Sequence, residues 1–138
     1  MAKLTISLPT NFEERLSKLG SQTDSICEKV LEAGGEVVLA KVRSNLNSVL
    51  SGTSTGELQR SLGLTKVRQD RNGKFNIKIG FAEPRKGTGK SNAKVATILE
   101  YGKHNQPPRP FMKPARTQSK SAAVEAMKST LDEEVGKL

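Results

Sequence analysis

The chain has 138 residues, 34% of them apolar and 4% aromatic, with a formal net charge of +9. That length fits a single domain over residues 1–138, long enough to fold without a metal or disulfide, and the thin aromatic content predicts an aliphatic core. The longest aliphatic run, Val37-Val38-Leu39-Ala40, is far below the roughly 20 residues that span a bilayer, the opening residues Met1–Ile6 lack the apolar stretch of a signal peptide, and the lone Cys27 excludes an intrachain disulfide and a cysteine-based zinc site, so a reducing cytoplasm is expected.

The elements follow in order. Leu4, Ile6 and Leu8 alternate with Lys3, Thr5 and Ser7, the period of a half-buried strand, which Pro9 stops. Phe12, Leu16 and Leu19 then mark a short helix ended by Gly20. The strongest periodic signal comes next. Ile26, Val30, Ala33, Val37, Ala40 or Lys41, Leu46, and Val49 or Leu50 recur every three to four residues, apart from one longer step before Leu46. Thr23 or Asp24 can cap the start and Ser51-Gly52 ends the run, which predicts one amphipathic helix of roughly 25 residues. Gly34-Gly35 sits inside it, which implies either a bend or the close approach of another backbone.

Residues 51–56 read as a loop and Glu57–Leu62 as a helical turn. Phe75, Ile77, Ile79 and Phe81 then alternate with polar residues and Gly80, and Asn72-Gly73 signals a hairpin. A two-residue turn would put Arg68 opposite Ile77. A three-residue loop, Arg71-Asn72-Gly73 with Gly73 left-handed, pairs Ile77 with Val67 and Ile79 with Thr65, and this register is expected because it keeps charge off the apolar face.

Residues 83–92 read as an exposed basic loop, Ala93–Tyr101 as a short helix stopped by Gly102, and 103–110, with three prolines, as irregular chain. A last helix starts at Phe111 or Pro114 and reaches about Val135, with Ala115, Ala122 or Ala123, Ala126 or Met127, Leu131 and Val135 on its apolar stripe. The fold class is therefore α+β: a small antiparallel sheet packed against one long amphipathic helix and a C-terminal helix.

Charge is segregated along the chain. Residues 60–120 carry fifteen Lys/Arg against three Asp/Glu, whereas 1–59 carry six against seven and 121–138 two against four. A basic block of this kind attracts nucleic acid or an acidic protein, or else forms a solvated face. Arg85, Lys86, Lys90 and Lys94 are the candidates for a loop facing a DNA path or an acidic partner.

Catalytic readings fare poorly. Gly87-Thr88-Gly89-Lys90-Ser91 imitates the end of a phosphate-binding loop, but the required first glycine is replaced by Pro84, which removes an amide and fixes φ. The only histidine, His104, stands in the proline-rich loop with nothing nearby to orient it. The carboxylates at 132–134 read as a solvated helix face, and no cofactor or metal is expected.

Residues 99–115 carry the most information: a short helix, a rigid proline-rich turn, and Phe111 planted at the start of a helix. Tyr101 and Phe111 serve either as core anchors or as parts of a preorganised contact loop. The strings Leu99-Glu100-Tyr101-Gly102 and Arg109-Pro110-Phe111-Met112, together with Thr55-Gly56-Glu57-Leu58-Gln59-Arg60-Ser61-Leu62, resemble the signature of the small tail-component family of long-tailed lambdoid bacteriophages, a family of neck, tail-completion and head–tail joining proteins. The resemblance covers about residues 20–135, and the spacer Lys103–Pro108 departs from the family's pattern.

It implies a non-enzymatic virion protein that forms a homo-oligomeric ring, six-fold like the tail, at the head–tail junction or the head-proximal end of the tail. Its partners would be further copies and the neighbouring neck, connector or tail-tube proteins, with phage DNA passing through the ring and no membrane. Its place would be the virion, with assembly in the host cytoplasm. The interface candidates are Glu100, Tyr101, Gly102, Arg109, Pro110, Phe111 and Met112. The alternative is a basic nucleic-acid-binding protein, which would lack stacking aromatics, since Phe75 and Phe81 read as core.

Overall fold

The computed structural model describes residues 3–9, 12, 23–50, 56–82 and 91–137. Among the described residues eight elements follow in order: β1 (Leu4–Ser7), α1 (Thr23–Val49), α2 (Glu57–Ser61), β2 (Leu62–Leu64), β3 (Arg68–Gln69), β4 (Phe75–Phe81), α3 (Asn92–Tyr101) and α4 (Met112–Gly136). The sheet is antiparallel, with β4 in the middle, β1 on one side, and β2 and β3 on the other. This is the α+β layout that the periodicities predict. Of the helix expected after Pro9 only Phe12 is described; it is buried, and its amide donates to the Pro9 carbonyl at 3.0 Å. The rest of that helix, like the loop at 51–55, lies outside the described residues.

α1 is the centre of the molecule, sandwiched between the sheet and α4. Its buried residues run from Ile26 and Cys27 through Leu31, Val38 and Val42 to Leu46. The stripe is broader than a single amphipathic face because α1 is covered on two sides rather than one, and it is rotated from the predicted one: Ala33 and Val37 are half-buried and Ala40 is exposed.

Gly34-Gly35 is explained by the same geometry. Adjacent helical residues point about 100° apart, so Gly34 faces α4 and Gly35 faces the sheet. A Cβ on Gly34 would collide with the Met127 side chain, lying 2.8 Å from its Cγ. A Cβ on Gly35 would meet Leu64 Cδ2 at 3.1 Å and Ile77 Cγ2 at 3.4 Å. The glycine pair lets two layers close onto one helix, so close packing is the reason for it.

Around the hairpin turn the register is the expected one. Gln69 faces Phe75, Arg68 faces Asn76, and Gly73 has φ of +78°. Asp70 organises the turn: its carboxylate accepts from the amides of Asn72 (2.8 Å) and Lys74 (3.0 Å). Farther from the turn the pairing slips by one residue. Ile79 lies opposite Leu64, not Thr65, so the expected Ile79–Thr65 pair is corrected. Between the two ladders Thr65, Lys66 and Val67 stand against Ile77 and Lys78, one residue in excess, which is the count of a bulge. The slip puts a leucine on the apolar face, while the Thr65 hydroxyl turns aside to accept from the Lys78 amide at 3.0 Å.

Candidate functional site

The turn from α3 into α4 is built by residues that each have a local reason to be there. α3 starts on Ser91, whose hydroxyl accepts from the Lys94 amide at 3.2 Å, and stops at Gly102. Gly102 has φ of +77°, and a Cβ there would lie 2.7 Å from the Gln106 carbonyl oxygen and 2.8 Å from the Pro108 nitrogen. Only glycine fits both the dihedral and the space. Lys103 and Gln106 then exchange backbone hydrogen bonds (2.9 and 3.0 Å), closing a tight turn over His104 and Asn105. Residues 103–110 are irregular chain, as expected, apart from this one bridge, which is possible because the prolines begin only at Pro107 and leave those amides free to bond. The Arg109 amide donates to the Leu99 carbonyl at 2.6 Å and pins the segment back onto α3.

α4 begins without a capping side chain of its own, since Phe111 occupies the N-cap position. The first amides of a helix have no partner within it and must find one elsewhere. Glu100 supplies it. Its Oε1 accepts from the amides of Phe111 (3.0 Å) and Met112 (2.8 Å), and its Oε2 from that of Lys113 (3.1 Å). Glu100 is only 5% exposed, and a carboxyl group can be buried here because three donors and the positive end of the helix dipole meet it. Asn45 of α1 completes the joint, its amide donating to the Phe111 carbonyl and to Gln118 Oε1, both at 3.2 Å. The Phe111 ring is fully buried and meets Phe81 edge-on, with ring centroids 6.2 Å apart.

The segment singled out in the sequence thus divides by residue. Glu100, Phe111 and Met112 are buried within the chain, and Gly102 is half-buried. Tyr101, 69% exposed, is displayed rather than used as a core anchor; Arg109 and Pro110 are exposed beside it. The Arg109 guanidinium reaches the Val49 carbonyl at 3.4 Å, whereas both oxygens of Glu100 accept from backbone amides, so the two side chains are not partners within the chain. In the basic loop, Lys94 stands exposed in the first turn of α3, and Arg85, Lys86 and Lys90 lie outside the described residues, as does the phosphate-loop-like string up to Lys90.

Sequence reasoning missed Glu100 as a cap and Asn45 as a joint. A signal for the first was available: α4 opens on Phe111-Met112 with no Ser, Thr, Asp or Asn beside it, so its cap had to come from elsewhere in the chain. Among the described residues no group of three or more His, Cys, Asp or Glu side chains could hold a metal, and no helix is long and apolar enough to cross a membrane.

Comparison with known proteins places these features in a family context. A family model described as "Bacteriophage HK97-gp10, putative tail-component" matches residues 10–102 of the 138. The matched span includes Thr55–Leu62 and Leu99–Gly102, and ends before Arg109. No curated protein and no solved structure gives a significant match.

Proposed function

The chain belongs to the HK97-gp10-like family of bacteriophage tail components, and from that premise we propose that it is a non-enzymatic structural protein of the virion. In this reading it assembles as a homo-oligomeric ring at the head–tail junction or the head-proximal end of the tail, six-fold like the tail itself. It is made in the host cytoplasm, contacts neck, connector or tail-tube proteins, and leaves a path for DNA through the ring. The observation that carries the reading is the family match across residues 10–102. The turn into α4 supports it: a contact loop should be stiff before it binds, and here the buried Glu100 clamp and the prolines on either side of Arg109 fix a segment on which Arg109 and the nearby Tyr101 are exposed.

The competing reading is a nucleic-acid-binding protein that uses the basic block. Sedimentation of the purified chain and negative-stain imaging distinguish the two. Closed rings with no appreciable affinity for free duplex support the tail reading. A monomer that binds duplex DNA, with an affinity that falls steeply as salt is raised, overturns it.

A further inference from the structure

The ring reading leaves open which surfaces join, and the structure offers two that match. Two grooves flank α1. One lies between β1 and α4: Leu4, Ile6, Val124 and Met127 make its apolar floor, and Arg116 and Lys120 its rim. The exposed Lys113 continues this basic row one turn earlier on α4. The other lies on the β2 side of α1, where Leu64 and Ile77 form the floor and Glu32 and Glu36 stand at the rim. Glu28, one turn earlier on α1, extends the acidic row and is exposed like Glu32 and Glu36. Lys66 also borders this groove, and Lys29 and Glu134 there pair with each other at 3.2 Å.

The strand order β1-β4-β2 puts the two grooves at opposite edges of the sheet. Among the described residues Arg116, Lys120, Glu32 and Glu36 enter no ion pair within the chain. Opposite charge at opposite edges is the arrangement a head-to-tail contact needs, and such contacts close into rings when the rotation between copies allows. A two-fold contact through either groove would instead set like charges against each other.

We propose that the Arg116–Lys120 groove of one copy receives the Glu28-Glu32-Glu36 row of α1 from a second copy, and that this heterologous contact propagates the ring. The apolar floors supply contact area, while the charged rims fix direction and register. The proposal rests on the ring reading and adds the surfaces to it.

The test uses two charge-reversed chains, R116E/K120E and E32K/E36K, beside the wild type, each followed by light-scattering mass and a circular-dichroism melt. All four positions are exposed, so both variants should melt like the wild type. Each alone should remain monomeric at concentrations about 100-fold above the wild-type assembly midpoint, because like charges then face each other. Mixed in equal amounts they should assemble, since the acidic groove of the first accepts the basic row of the second and the reverse pairing is equally matched. If R116E/K120E does not fold, the neutral R116Q/K120Q replaces it and should shift the midpoint upward.

A wild type that never assembles overturns the ring reading, and this proposal with it. A wild type that assembles together with an R116E/K120E chain that assembles equally well, or a mixture that stays monomeric, overturns the surface assignment alone. The same holds if R116E/K120E loses only binding to duplex DNA or to an acidic protein.

Discussion

Glu100 ties three successive backbone amides to one carboxylate, so its substitutions report how much the turn depends on that single group. Hydrogen bonds to a charged group contribute about 1.5–3 kcal/mol each and do not add fully. Glu100→Ala should cost about 3 kcal/mol in denaturant unfolding, a large part of the usual margin of a domain. Glu100→Gln keeps an oxygen for Phe111 and Met112 but sets an NH2 group against the Lys113 amide, and should cost about 1–2 kcal/mol. Equal losses for the two variants would mean that charge at the helix end, not acceptor geometry, is what Glu100 provides. The neighbouring positions separate fold from contact. Phe111→Ala removes a fully buried ring and should cost about 3–5 kcal/mol. Arg109→Ala should leave the melt within about 0.5 kcal/mol of wild type and weaken assembly, which a sizing column run beside the melt would show.

Elements meet most closely where α1 passes between α4 and the sheet, and Gly34 sets that distance. Gly34→Ala gains about 1 kcal/mol of helix propensity but forces its Cβ onto Met127, a kind of overpacking that costs about 1–3 kcal/mol. The net effect should be destabilising in the wild type and should reverse in a Met127→Ala background, where the space is open. A double-mutant cycle reads that coupling directly; additive effects would show that Met127 simply moves away. The far end of the same pair of helices is tied by Glu134, whose carboxyl is held below its ordinary value, first by the hydrogen bond from Lys29 and then by Lys137, with desolvation opposing. Its folded value is the lower one, so the tie is present above the unfolded value and is lost as pH falls through the folded value. Lys29→Ala should bring the Glu134 titration, followed by NMR, back toward the ordinary carboxylate value. The long helix, the sheet and the three-residue hairpin loop were legible because each is written as a local period or turn signal. The slip at Lys66–Val67 was not, because nothing local says that Leu64 rather than Thr65 will face α1. The Glu100 clamp was hidden for a related reason: its partners lie eleven to thirteen residues onward, beyond any helical or strand spacing, and the carboxylate read as an interface candidate.

At the scale of the whole molecule the net charge of +9 conceals a polarity. α4 carries Lys113, Arg116 and Lys120 in its first half, whereas the acidic row Glu28, Glu32 and Glu36 occupies the half of α1 that packs beside the other end of α4. A molecule with separated charge orients an approaching copy before contact, and such steering acts on association far more than on dissociation. Ionic strength therefore distinguishes rim charges from charges buried in the contact. Between about 0.05 and 0.5 M salt the screening length shortens to a few ångströms, and the wild-type association rate, measured by stopped-flow light scattering, should fall by about tenfold or more. The dissociation rate should stay within about twofold, because the apolar floors set by Leu4, Ile6 and Val124 on one side and Leu64 and Ile77 on the other are insensitive to screening. A dissociation rate that rises steeply with salt would mean that solvent-accessible ion pairs, rather than the apolar floors, hold the formed contact together. An association rate indifferent to salt would mean that the polarity of the chain plays no part in bringing copies together.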